Sequence, residues 1–249
     1  MQNSYYNNYT SINVYKNNSV SSGLTTQMLY GEKFKIIKKN GDWWKIKLIE
    51  DKYIGFIKKK KFKKKITYYY KASSLKANVY NAPSVKKKIK KKILFSSKIS
   101  HISKSKSFIE FEKNKWIKIS DIKPISYKTN SIFEKIKIFN GTKYKWGGKS
   151  YRGIDCSALV QLCFTFNNQY FPRDSKDQFK YLKKKIQRKN VKKNDLFFWK
   201  GHIAIALSRS KLIHAYGPSK KVSIMNINYA IKRIEKTANL KVIGIRRAN

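Results

Sequence analysis

Cys156, His202 and His214 are the residues of this 249-residue chain whose types and order allow nucleophilic chemistry. Cysteine reacts as its thiolate, and Cys156 stands where Gly153-Ile154-Asp155 passes into a helical pattern made by Leu159, Val160, Cys163 and Phe164. A helix N-terminus carries partial positive charge, which predicts easier loss of the thiol proton than in a free cysteine. Two of the three histidines flank a hairpin-like pattern, with 202–207 read as a strand, 208–211 as a turn and 212–215 as the returning strand. In a nucleophile, base and orienter set, one imidazole takes the thiol proton and later gives one to the leaving amine, while the other holds the first in its tautomer. Both rings share a face only if opposed residue numbers sum to an even value, which a two-residue turn at Arg209-Ser210 does not give. The histidines therefore require a three- or five-residue loop, or a bulge. Taken singly, a buried apolar cysteine and two structural strand histidines are the competing reading.

Five blocks in order carry a resemblance. Tyr144-Lys145-Trp146-Gly147-Gly148, Gly153-Ile154-Asp155-Cys156-Ser157, Pro172-Arg173-Asp174-Ser175 with Gln178, Asn194-Asp195-Leu196-Phe197-Phe198-Trp199 and His202-Ile203-Ala204 resemble the NlpC-type papain-like cysteine peptidases that cut bacterial cell-wall peptides. The resemblance spans residues 130–249. It implies Cys156 as nucleophile, His202 as general base and His214 as the third, polar member. It further implies that Tyr144 lines the site near the oxyanion, and that Asp155 and Ser157 contact substrate, Asp155 reaching a free amino terminus. Arg173 and Asp174, adjacent opposite charges after a proline, read as a loop brace. Ala158 departs from the glycine usual in the family after the Cys-Ser pair.

The elements ahead of these residues repeat. Asn13-Val14-Tyr15 with Ser19-Val20 recurs as Asn78-Val79-Tyr80 with Ser84-Val85, and Trp44-Lys45-Ile46-Lys47 has an echo in Trp116-Ile117-Lys118-Ile119. Each copy is a run of short alternating strands suited to a small barrel. Residues 12–58 resemble the bacterial SH3-like modules that precede such peptidase domains, with Glu32, Asp51 and Tyr53 as candidates for closing one end of the cleft. Lys86 to Lys92 makes the second copy a weaker match. Lys123-Pro124-Ile125-Ser126 reads as a linker, and a helix is expected after it, with Ser131 and Glu134 as a capping box, Ile132, Phe133, Ile136 and Phe139 as its apolar stripe and Gly141 as its stop. Gly217-Pro218 breaks the pattern before a strand, a helix near 228–236 and a last strand at 240–245. The expected architecture is α+β: SH3-like barrels at 1–66 and 67–126, then a peptidase domain at 127–249 with a helix packed on an antiparallel sheet.

The chain holds 58 Lys plus Arg against 13 Asp plus Glu, a formal charge of +45. The excess is spread along the whole length with abundant Ile, Asn, Tyr and Phe, as an AT-rich coding sequence gives. Nucleic acid is therefore not the expected partner, although Lys58 to Lys61 and Lys63 to Lys65 are the best place for an anionic contact. The residues after Met1 lack the pattern of a signal peptide, and no run reaches the roughly 20 apolar residues that span a bilayer, so a cytoplasmic protein without a membrane partner is expected. Cys156 and Cys163 lie about 10 Å apart along one helix, too far to bridge. No cofactor is implied, and the paired spacing of a zinc motif is missing. Together with the resemblance, a cytoplasmic location implies a γ-D-glutamyl-L-diamino acid endopeptidase acting on recycled muropeptides with a free N-terminal L-Ala. A nonenzymatic module binding cell-wall or nucleic-acid polyanions, and a papain-like amidase or acyltransferase, are the alternatives.

Overall fold

Apolar and polar residues alternate through the first half of the chain, and the computed structural model, which describes residues 4–248, folds that half into short antiparallel strands. Two compact units result, Met1–Lys128 with Phe166–Asn168, and Thr129–Thr165 with Gln169–Asn249.

In the first unit, β1 (Ser4–Tyr6), β2 (Ser11–Tyr15), β3 (Leu24–Leu29), β4 (Lys33–Asn40), β5 (Trp43–Leu48) and β6 (Ile54–Lys58) form a sheet of order β1-β4-β5-β6-β2-β3. Their inward side chains, Val14, Met28, Phe34, Ile46, Leu48 and Ile57, make one core. A second set follows: β7 (Tyr70–Ala72), β8 (Lys76–Tyr80), β9 (Lys88–Leu94), β10 (Lys98–Ile99), β11 (Ser103–Ser105), β12 (Phe108–Glu112), β13 (Lys115–Lys118) and β14 (Ile122–Pro124). Five of these run in the order β11-β12-β13-β8-β9, which repeats β4-β5-β6-β2-β3 of the first sheet. The repeat extends to detail. Both first strands carry a register shift, at Val14/Tyr15 and at Asn78/Val79, and both lead to a single 3-10 turn capped by a serine, Ser19 or Ser84.

The ladders correct two expectations. Trp116 pairs with Tyr80 as Phe56 pairs with Tyr15, so the counterpart of Trp116 is Phe56 on β6 and not Trp44 on β5. A Trp followed by alternating Lys and Ile fits any half-buried strand, and only hydrogen bonding tells which. Lys123 and Pro124 are no linker either. They pair with Lys71 and Tyr70 on the edge strand β14, where a proline without an N–H is tolerated.

The second unit opens with a further correction. In place of the expected helix at 131–139, successive tight turns end in one 3-10 helix, Ile136–Phe139, with bonds from Ile136 N to Phe133 O and from Asn140 N to Lys137 O. Glu134 does reach back, to Asn130 N at 3.2 Å, but only a few residues separate that cap from Gly141, whose φ of 81° and bond to Val222 O turn the chain into the sheet. Phe133, Ile136 and Phe139 are buried as the stripe required. The hairpin β15 (Lys149–Ser150) and β16 (Gly153–Ile154) leads into α1 (Cys156–Phe166), followed by α2 (Ser175–Tyr181). The sheet is β17 (Asp195–Trp199), β18 (His202–Ala206), β19 (Lys211–Tyr216), β20 (Lys221–Asn226) and β21 (Gly244–Arg247), ordered β20-β19-β18-β17-β21, with α3 (Ile227–Ala238) after β20. Ile227, Ala230 and Ile234 of α3 cover Phe197, Trp199, Ala204, Ala206, Leu212 and Tyr216. The α+β class read from the sequence holds, with three α-helices among the described residues.

Candidate active site

Asp155 is the N-cap of α1. Its Oδ1 accepts from Ala158 N at 2.8 Å and its Oδ2 from Gly147 N at 2.9 Å, which ties the start of the helix to the Tyr144–Gly148 loop. Arg173, 3 % exposed, donates to both oxygens, from Nη1 at 3.0 Å and Nη2 at 2.6 Å, and its Nη1 also donates to Ser157 Oγ at 2.8 Å. Asp155 and Ser157, named for substrate contact, are thus both engaged inside the chain. Arg173 braces the turn that presents Cys156, as its position after a proline suggested.

The Cys156 sulfur lies 4.0 Å from Gly201 O and receives the backbone N–H of Ile203, the residues on either side of His202. The side chain is 6 % exposed. Burial first, then the Asp155 carboxylate, push its thiol up to about 12, against the pull of the Ile203 and Ser157 N–H groups and of Arg173. This reverses the expectation of an easily ionised thiol: the partial charge of a helix terminus is smaller than the cost of ionising a buried sulfur beside a carboxylate.

The histidines meet as the register test required. Ile205 faces Ile213 and Ala206 faces Leu212, pairs that sum to an even number, and Leu207 N to Lys211 O at 2.8 Å closes a three-residue loop, 208–210. His202 Nε2 and His214 Nδ1 lie 2.9 Å apart. Burial, and secondly His214, hold His202 well below the ordinary histidine value; burial and the Arg233 charge bring His214 down to about 4. Both rings are therefore neutral near pH 7.

Two aromatic neighbours were not picked out from the sequence. Tyr216 lies parallel to His214, 5.2 Å between centroids at 7°, and 5.3 Å from His202; Trp199 is the cross-strand partner of His202 at 5.4 Å. The alternation Leu212, His214, Tyr216 was the available signal for the first. Tyr144, held by its N–H to Lys220 O at 2.8 Å, has its phenol raised by burial, then by Cys156 and Asp155, so it keeps its proton beside Cys156. Glu32, Asp51 and Tyr53 belong to the other unit and have roles there: Glu32 accepts from Leu29 N at 2.7 Å, Asp51 accepts from Tyr53 N at 3.0 Å, and Tyr53 packs against the first barrel's core. Among the described residues no group of three His, Cys, Asp or Glu is placed to hold a metal.

The model of the NlpC/P60 family matches residues 141–238, and that of the bacterial dipeptidyl-peptidase SH3 domain matches residues 14–62. A γ-D-glutamyl-L-lysine dipeptidyl-peptidase of Bacillus cereus is 22% identical over 244 residues, covering 82% of this chain and 71% of that protein. Dipeptidyl-peptidase 6 of Lysinibacillus sphaericus is 30% identical over 105 residues, 41% of this chain but 39% of its own, so the chain spans well under half of that relative. The crystal structure of an NlpC/P60 family protein from Bacillus cereus superposes with a TM-score of 0.82 at 19% identity, covering 98% of this chain and 99% of that one, a likeness of fold. The chain therefore carries an NlpC/P60 domain, preceded by a bacterial dipeptidyl-peptidase SH3 domain, as its motifs anticipated.

Proposed function

We propose that the chain is a cysteine endopeptidase that cuts the γ-D-glutamyl-L-diamino acid bond of cell-wall peptides with a free N-terminal L-Ala. The observation that carries this is the bond between His202 Nε2 and His214 Nδ1, with the Cys156 sulfur set against the residues on either side of His202. Similarity to the γ-D-glutamyl-L-lysine dipeptidyl-peptidase of Bacillus cereus supports the choice of bond. Action on released peptides during wall recycling, in the cytoplasm, is part of the same proposal.

With a thiol held near 12 and a neutral imidazole, the resting pair is uncharged, and the proton moves as the attack occurs. His202 takes the thiol proton, the sulfur bonds to the carbonyl carbon, and the oxygen becomes an oxyanion beside the protonated Tyr144 hydroxyl. Collapse breaks the C–N bond as His202 gives its proton to the departing amine. Water, deprotonated by His202, then attacks the thioester, and the sulfur leaves with that proton. Throughout, His214 accepts from His202 Nε2 and so supports the imidazolium form. Incubation with L-alanyl-γ-D-glutamyl-meso-diaminopimelate, with free and with blocked amino terminus, tests the proposal by mass spectrometry. Release of diaminopimelate from the unblocked peptide alone, lost in Cys156→Ala, is expected; activity in Cys156→Ala overturns the nucleophile.

A further inference from the structure

His214 is fully buried. Its Nδ1 is bonded to His202, but its Nε2 has no hydrogen-bond partner among the described residues. Two more buried polar atoms share that condition nearby. Ser223 is the direct cross-strand partner of His214 in the β19–β20 ladder, so both side chains leave the sheet on one face. That face looks toward α3, because Leu212 and its partner Met225 pack with Ala230 and Ile234 of that helix. Ser223 Oγ is buried and unpartnered, and so is Nε of Arg233 on α3. The Arg233 charge acts on His214, while its Nη1 donates to Tyr229 Oη at 3.0 Å.

We propose that one water binds among His214 Nε2, Ser223 Oγ and Arg233 Nε and fixes the tautomer of both imidazoles, which makes Ser223 and Arg233 positioning residues for the general base. The inference rests on reading His202 as that base. A base at His202 Nδ1 needs its hydrogen on Nε2, where it is donated to His214 Nδ1. His214 must then carry its own hydrogen on Nε2, pointing into the buried space under α3. Arg233 Nε only donates and cannot receive it. Water can: it accepts from His214 Nε2–H and from Arg233 Nε–H, and donates one hydrogen to Ser223 Oγ. Three partners is the usual number for a buried water, and buried polar groups are rarely left without one. With His202 protonated on Nε2, the Nδ1–H form of His214 would set two hydrogens against each other between the rings, so the hydrogen of His214 belongs on Nε2, where the water accepts it. By accepting that hydrogen, the bridge supports the form that leaves His202 Nδ1 free for the thiol proton.

Long-range 1H–15N correlation spectra of the intact chain labelled with 15N-histidine read the tautomers directly. Both His202 and His214 are expected as Nε2–H forms. In Ser223→Ala, His214 should become a mixture with the Nδ1–H form, and kcat should fall about tenfold at unchanged KM. Ser223→Thr, which keeps the hydroxyl, should restore both. An Nδ1–H form of His214 in the unaltered chain overturns the bridge, as does a Ser223→Ala chain whose tautomers are unmoved. Because the spectra need no turnover, a chain that shows the expected tautomers but cuts no peptide would support the bridge and count against the hydrolase reading alone.

Discussion

Arg173 holds Asp155 with both terminal nitrogens, at 3.0 and 2.6 Å, one residue ahead of Cys156. Both side chains are almost wholly removed from solvent. A buried charge left alone costs more than the pair ever contributes, so Asp155→Asn should lower stability by about 3 kcal/mol or more. Thermal melting measures it. The double substitution Asp155→Asn/Arg173→Met, which leaves no lone charge, should recover part of the loss. A single variant that melts with the parent would show that this pair does not hold the start of α1 in place.

The thiol sets a second expectation. Alkylation of Cys156 by iodoacetamide should accelerate steadily from pH 7 to pH 10, because a thiol near 12 exposes only a small thiolate fraction in that range. A rate that levels off between pH 6 and pH 8 would mean a preformed thiolate–imidazolium pair instead.

The histidine pair makes stability depend on pH with a fixed sign. Both rings ionise below their unfolded value near 6.5, His214 near 4. Between those values the unfolded chain binds protons that the folded chain refuses, so stability is complete above about pH 6.5 and falls as pH drops toward 4. For His214 alone the loss is on the order of 3 kcal/mol. Urea midpoints at pH 7.5 and pH 4.5 should therefore differ less in His214→Gln than in the parent. Equal differences in the two chains would place the lost stability elsewhere.

Gly148 marks how tightly the loop bearing Tyr144 is fitted. A Cβ there would come 2.3 Å from Gly153 O, backbone that cannot move without shifting the turn into α1. Gly148→Ala should lower kcat/KM at least tenfold while the sheet keeps its fold, since the strain falls on the segment presenting Cys156. Activity within twofold of the parent would show that this segment has slack.

The sequence made the place of Cys156 at the start of α1 and the even register of His202 and His214 legible, because hydrogen-bonded strands translate residue parity directly into shared faces. The brace was legible as a motif, and its buried contact to Asp155 needed coordinates. Thiol acidity was misread, since helix position is visible in a sequence and the desolvation of one sulfur is not. The stretch 131–139 failed for a different reason. Its cap and its apolar spacing are both present, but too few residues lie between cap and Gly141 for helical bonds to accumulate, and tight turns bury the same side chains. Pro124 misled as punctuation because an edge strand has room for it. Ser223 and Arg233 left no sequence signal, being joined only by a ladder and a helix face.

Tyr30, at the turn after β3 of the first barrel, is wholly buried in the core of the second, against Val79, Ile93 and Phe111, and donates to Glu112 at 2.9 Å. Gly31 beside it, at a φ of +84°, has no room for a Cβ, which would fall 2.1 Å from Lys98 O. The two β-repeats are thus not beads on a string. Severing the chain near residue 66 would strip an aromatic plug from one half and leave a solvent-filled socket in the other, so the two halves depend on each other to complete their packing.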